Sequence, residues 1–129
     1  VRGVQVYNMS RFVSIKTELR DGEILKESLQ DLRCTVIPKT EMTVYAKTQP
    51  ISFLAITSFG RVGFRINDLG QYELVGDEDV LRKQGDFVEK LTQRYAYNKV
   101  VKEAKKAGFS LIQEEVMEDH SIKVVIRKW

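Results

Sequence analysis

His120 is the only histidine in the chain, and Asp119 precedes it directly. An Asp–His pair can serve as a general base with its orienting carboxylate, provided that a nucleophile or a substrate pocket stands beside it. Here the pair falls in Glu118-Asp119-His120-Ser121, a run of turn formers between two apolar stretches, so an exposed turn histidine is the favoured reading. Cys34 is the only cysteine, which excludes an internal disulfide and any cysteine-based zinc or iron–sulfur site held within the chain. It follows the expected C-terminus of a helix rather than an N-terminus, where its thiol would be activated, and is read as core. Asp77-Glu78-Asp79 has the charge for a hard cation but lacks the alternating oxygen ligands and closing Glu of a calcium loop. Negative charge complementing a helix dipole explains it better. Glu114 and Glu115 are neighbours in an expected strand and so alternate faces, and Gly60 and Gly63 are too isolated for a phosphate loop. No catalytic residue, metal site or cofactor is assigned.

The remaining concentration of chemistry is basic and aromatic. Arg94, Lys99, Lys102 and Lys106 stand within one expected helix, with Tyr95 and Tyr97 among them. Lysines crowding the last turns also oppose the carbonyl end of the helix dipole, which alone can explain them. The chain closes on Arg127, Lys128 and Trp129, the indole being read as a plug at the edge of the core. These nine residues are the candidate contacts for a protein partner. A nucleic-acid reading uses the same helix, its cations following phosphates and its tyrosines stacking on bases, although Glu103 interrupts the stripe.

The elements that must position these groups are legible from period and punctuation. Val13 and Ile15 alternate with Ser14 and Lys16, as in a strand with one buried face. From Asp21, placed as an N-cap, Leu25, Leu29 and Leu32 follow the helical period. Cys34–Ile37 and Met42–Ala46 read as short β segments separated by Pro38, which marks an edge or a break. The dense run ISFLAITSF reads as a strand covered on both faces. RVGFRINDLGQYELVGD is the clearest hairpin, with Gly70 at the left-handed turn position and Gly63 inside the first strand as a bulge or close backbone approach. One helical turn is expected over VLRKQ.

The longest element runs from Asp86 to a C-cap at Gly108, with Asp86 and Glu89 spaced as a capping box. Projection at about 100° per residue places Phe87, Leu91 and Tyr95 on one side but Tyr97, Val101 and Ala104 nearly opposite. Either the helix kinks near Ala96, or its halves pack on different elements, or the first face receives a partner. Beyond Gly108, Phe109, Leu111 and Val116 form one strand of a second hairpin, and Ile122, Val124 and Ile126 the other.

The segment TQRYAYNKVVKEAKKAGFSLIQEEVMEDHSIKVVIRKW resembles the C-terminal half of the hypothetical chloroplast reading frame thirty-five family, a cyanobacterial and plastid domain of unknown function. MSRFVSIKTELRDGEILKESLQDL is similar to that family's opening and GFRINDLGQYELVGD to its central hairpin, so the resemblance spans Met9 to Trp129. Arg11 stands where the family typically has His after Met-Ser, and Arg33 where it tends to have Gly. Had that His ligated a metal or moved a proton, this member would have lost the ability, since Arg11 stands in its place. The resemblance implies a photosynthetic lineage and a stromal or cytoplasmic setting, and no reaction.

At 129 residues, 43% hydrophobic and 30% charged, the composition is that of a soluble globular protein without a membrane-spanning run, and a net charge of +3 permits an acidic partner without arguing for nucleic acid. Residue 1 is Val, so the chain is read as processed or truncated. Residues 1–8 lie outside the family pattern, either as a transit-peptide remnant or as an expression boundary or alternative start. The expected object is a single α+β domain over residues 9–129, a largely antiparallel sheet with one short and one long helix packed on it. Its expected role is that of a non-catalytic accessory protein, binding peripherally to a photosynthetic or redox complex from the plastid stroma or the stromal face of the thylakoid, or from the cytoplasm of a cyanobacterium.

Overall fold

The computed structural model describes residues 11–116 and 122–128, with side-chain surroundings from 11 to 108. It is an α+β protein with a largely antiparallel sheet. The elements are β1 (Phe12–Lys16), α1 (Gly22–Asp31), β2 (Thr35–Ile37), β3 (Glu41–Val44), β4 (Lys47–Pro50), β5 (Phe53–Thr57), β6 (Gly60–Ile66), β7 (Tyr72–Asp77), α2 (Glu78–Arg82), α3 (Phe87–Lys106), β8 (Phe109–Val116) and β9 (Ile122–Lys128). They divide into two compact units. One holds the described residues up to Arg20 together with Cys34–Gly85, and the other holds Asp21–Arg33 with the described residues from Asp86 onward.

The first unit is built on a five-stranded sheet in the order β1-β7-β6-β5-β2, antiparallel at every pairing. Register fixes its two faces. Phe53 pairs with Phe64, Phe64 with Leu74 and Leu74 with Ile15, so these apolar side chains share one face. The Phe53 and Phe64 rings stack with centroids 5.0 Å apart. The opposite face carries Leu54, Val75 and Ile51, packed with Ile37 and Met42. Burial on both faces explains the dense apolar run: Phe53, Leu54 and Ala55 are successive and all buried, while Ile56 at the far end is exposed. The expected hairpin is β6–β7, closed by Asn67, whose Oδ1 accepts from the Leu69 and Gln71 backbone, and by Gly70 at φ +78°.

Gly63 is a close approach. A Cβ built there would stand 2.8 Å from Ile51 Cγ2 and 3.1 Å from both Met42 Sδ and Val75 Cγ2. Three packed side chains would all have to yield, so Gly63→Ala is expected to destabilise the fold by about 1–3 kcal/mol, seen as a lower urea midpoint with an unchanged slope. Met42 belongs to the second hairpin, β3–β4, which the sequence only half disclosed. Tyr45 and Ala46, expected as the end of a strand, form its turn, with Tyr45 at φ +55°. Strand β4 reads KTQP and has no apolar residue to signal it; backbone pairing and a 2.7 Å Thr43–Thr48 hydroxyl contact hold it instead.

Glu73 is the one charged side chain buried among the described residues, and it lies on the same sheet face as Gly63's neighbours. Arg65, its cross-strand partner, donates to it at 3.1 Å, and Asn67 adds a bond at 3.3 Å. Hydrogen bonding from Arg65 outweighs the opposing effect of burial and, with Asn67 and the charges of Arg65 and Lys16, holds the carboxyl below its ordinary range. The acidic triplet serves α2 as its charge pattern suggests: Asp77 Oδ1 accepts from the Asp79 backbone, and Glu78 pairs with Arg11 and Arg82.

The second unit comprises α1, α3 and the antiparallel pair β8–β9, with α3 packed on both the short helix and the two strands. Asp21 caps α1, its Oδ1 accepting from the Glu23 and Ile24 backbone at 3.0 and 3.1 Å. Leu25 and Leu29 are fully buried. Two residues past the end of α1, Arg33 takes φ +67°, a left-handed conformation in which a side chain is unfavourable. Arg33 is exposed, so the strain is not offset by packing. Arg33→Gly is expected to stabilise the protein by about 0.5–1 kcal/mol in equilibrium unfolding.

Helix α3 runs unbroken from Phe87 to Lys106 and is followed by Gly108 at φ +86°, as its C-terminal signals predict. The capping box does not form. Asp86 makes no capping hydrogen bond, its backbone lies outside the extended region, and its carboxylate instead pairs with Lys90 at 3.5 Å. The expected turn at residues 118–121, with His120, and the N-terminal extension 1–8 lie outside the described residues.

Candidate functional site

The seam between α1 and α3 explains why the apolar stripe of α3 does not stay in place. Leu91, Tyr95 and Asn98 are buried along one face at spacings of four and three, so the seam continues through a polar residue. Asn98 is 8% exposed and donates through Nδ2 to Ser28 Oγ at 3.0 Å and to Asp31 Oδ2 at 2.9 Å. Ser28 in turn donates to the Ile24 carbonyl at 2.7 Å, which leaves its oxygen as the acceptor for Asn98. Because both partners accept, the orientation of the Asn98 amide is fixed.

Arg94 completes the network. Its Nε donates to Asp31 Oδ2 at 2.8 Å, and its guanidinium carbon stands 4.6 Å from the centroid of the Tyr97 ring. Burial alone would raise the Asp31 carboxyl. Hydrogen bonds from Arg94 and Asn98, with the Arg94 charge, more than reverse this and hold it below its ordinary range. Asp31 is therefore an anion at neutral pH, positioned as an acceptor rather than an acid. Cys34, just beyond α1, is buried, and burial pushes its thiol up, away from the reactive thiolate.

Above this network lies a groove of about 550 Å³. Ile24, Asn98 and Val101 line it with Glu23, Lys26, Glu27 and Gln30 from α1 and Lys102 and Lys105 from α3. Chemically it is a basic α3 wall facing an α1 wall of mixed charge, where Lys26 pairs with Glu23 at 3.8 Å and Glu27 adds a second carboxylate, around a buried amide.

The residues singled out from sequence fall into three groups. Lys99, Lys102 and Lys106 are exposed on α3, Lys99 lying 3.9 Å from Glu103. Arg94 and Tyr95 are held inside the unit instead: Arg94 is tied to Asp31, and Tyr95 is 6% exposed, its hydroxyl accepting from the Asp21 backbone at 2.9 Å. Tyr97 is half-buried beneath Arg94. Arg127 and Lys128 lie in β9, their side chains outside the described range, and Trp129 is outside the described residues. Sequence reasoning missed Ser28, Asp31, Asn98 and Glu27. A signal for one of them existed, since Asn98 occupies the next seam position after Leu91 and Tyr95.

Comparison with known proteins matches residues 28–125, which include the groove residues Gln30, Asn98, Val101, Lys102 and Lys105, to the family described as protein of unknown function (DUF1257). The chain belongs to this family. Among its relatives, an uncharacterized protein ycf35 from Guillardia theta is 37% identical over 128 residues, covering 94% of this chain and 98% of the relative. Proteins of the same name from Pyropia yezoensis and Cyanophora paradoxa are 32% and 26% identical over 127 residues, with the same coverage. All three carry the name of the chloroplast reading frame that the motifs resemble. No solved structure matches the chain. Among the described residues, no helix of this family member is long and apolar enough to cross a membrane.

Proposed function

We infer that this protein is a non-catalytic accessory or interaction protein of a plastid or cyanobacterium, acting as a peripheral, stroma-facing subunit or assembly factor of a photosynthetic or redox complex. The observation that carries this reading is the outer face of α3, where Lys99, Lys102, Lys105 and Lys106 are all exposed within two turns. Such a face suits an acidic protein surface, which it would recognise by charge and orient by the half-buried Tyr97 beside Arg94. The family relationship supports a plastid or cyanobacterial setting.

Purification of the tagged chain under native conditions from a photosynthetic host tests this. Recovery with subunits of a photosynthetic or redox complex is expected, and a free monomer would refute it. The nucleic-acid reading draws on the same lysines but loses Tyr95 as a stacking ring, because that ring is buried. It predicts RNA or DNA binding that falls steeply with salt, and absence of binding at low salt would remove it.

A further inference from the structure

Asn98 carries a second consequence, independent of any protein partner. Both hydrogens of its amide nitrogen are engaged, by Ser28 and Asp31, while its carbonyl oxygen accepts no hydrogen bond from the described residues. A buried acceptor of this kind calls for a donor, and Asn98 lines an open groove whose volume of about 550 Å³ is that of a small-molecule cleft. Around it, Glu27 on the α1 wall and Lys102 and Lys105 on the α3 wall have no ion-pair partner among the described residues. Ile24 and Val101 supply apolar surface between them.

We propose that the α1–α3 groove binds a small zwitterion, with an ammonium and an acid group on one short aliphatic skeleton. The ammonium donates to the Asn98 carbonyl and faces Glu27; the acid group lies against Lys102 and Lys105. Neither half suffices. A simple anion brings no ammonium to Asn98 and meets Glu27, whereas a simple amine meets two lysines. The acid group can be a carboxylate, as in a free amino acid, or a phosphate, as in a phosphoethanolamine headgroup.

The test is titration of the full ¹⁵N-labelled chain, following the Asn98 side-chain amide. The probes are β-alanine, O-phosphoethanolamine, and the half-ligands acetate, inorganic phosphate and ethylamine. At least one zwitterion is expected to saturate the shift with an affinity about tenfold tighter than either of its halves, the two zwitterions distinguishing the carboxylate from the phosphate source. Glu27→Gln should erase the advantage over the acid half, and Lys102→Gln with Lys105→Gln the advantage over the amine half. These side chains are exposed, so the variants keep the fold. Absence of a saturable shift with both zwitterions, or half-ligands binding as tightly as they do, overturns the proposal.

Discussion

Phe64→Ala is expected to lower the unfolding free energy by about 3–5 kcal/mol, and the melting temperature by on the order of 10–20 °C. Phe64 is fully buried in the middle of the five-stranded sheet, paired with Phe53 on one side and Leu74 on the other. Truncation removes a ring that stacks on Phe53 at 5.0 Å and leaves a cavity between two β-strand neighbours that backbone pairing holds in place. Partial collapse of the site would bring the cost toward the lower figure. Urea or thermal unfolding of the purified variant measures it, and a loss under about 1 kcal/mol would mean that Phe64 is not where the fold places it.

Asp31→Ala is expected to cost about 2–3 kcal/mol at neutral pH. The substitution removes one oxygen that accepts from both Arg94 at 2.8 Å and Asn98 at 2.9 Å, and it strands an amide hydrogen of a buried asparagine. The pair is about a third exposed, and solvent screening keeps the loss below that of a fully buried ion pair. Acid supplies the sharper test. The folded-state pKa of Asp31 is depressed, so its contribution is fully present above the ordinary carboxylate value of about 3.9 and is lost as pH falls through the lower folded value. The stability gap between the wild type and Asp31→Ala should therefore narrow from about pH 5 toward about pH 2, the acid sensitivity left in the variant including that of Glu73. A gap that stays constant over that range would show that Asp31 is not held as an anion by this network.

What the sequence disclosed and what it hid divide along the range of the interactions. Local signals were sufficient for α1, where Asp21 caps the helix and leucines repeat at its period, and for β6–β7, where alternation meets an Asn-Asp-Leu-Gly turn. Even a local signal failed at Asp86, because its carboxylate pairs with Lys90 and makes no capping hydrogen bond. Strand β4 was hidden for a different reason: a sequence without apolar residues becomes a strand through pairing with β3, which periodicity does not report. Placement of β1 beside β7, and so at the sheet edge, is likewise set by residues far apart in the chain.

The candidate site was less legible than the fold. Its central contact joins Asp31 to Asn98 across 67 positions, and each taken alone is an unremarked polar residue in a helix. The drift of the α3 stripe was the visible trace of that contact. Read as a change of face near Ala96, it is in the structure a seam that passes through Asn98 and a helix that packs on both α1 and the β8–β9 pair. Arg33 gives the opposite case, a departure from the resembling family whose consequence, a side chain at φ +67°, became readable only with the backbone in hand.

Parallel native purification of the wild-type chain and a Lys99→Glu, Lys102→Glu, Lys106→Glu variant tests most directly whether α3 is a docking face. All three side chains are exposed, so the variant should keep the fold, with a modest loss of stability from the broken Lys99–Glu103 pair and from acidic charge at the C-terminal end of α3. The wild type is expected to be recovered with a photosynthetic or redox complex, and charge reversal is expected to release it. Equal retention of the complex by the variant, or a wild-type chain recovered alone, would contradict it.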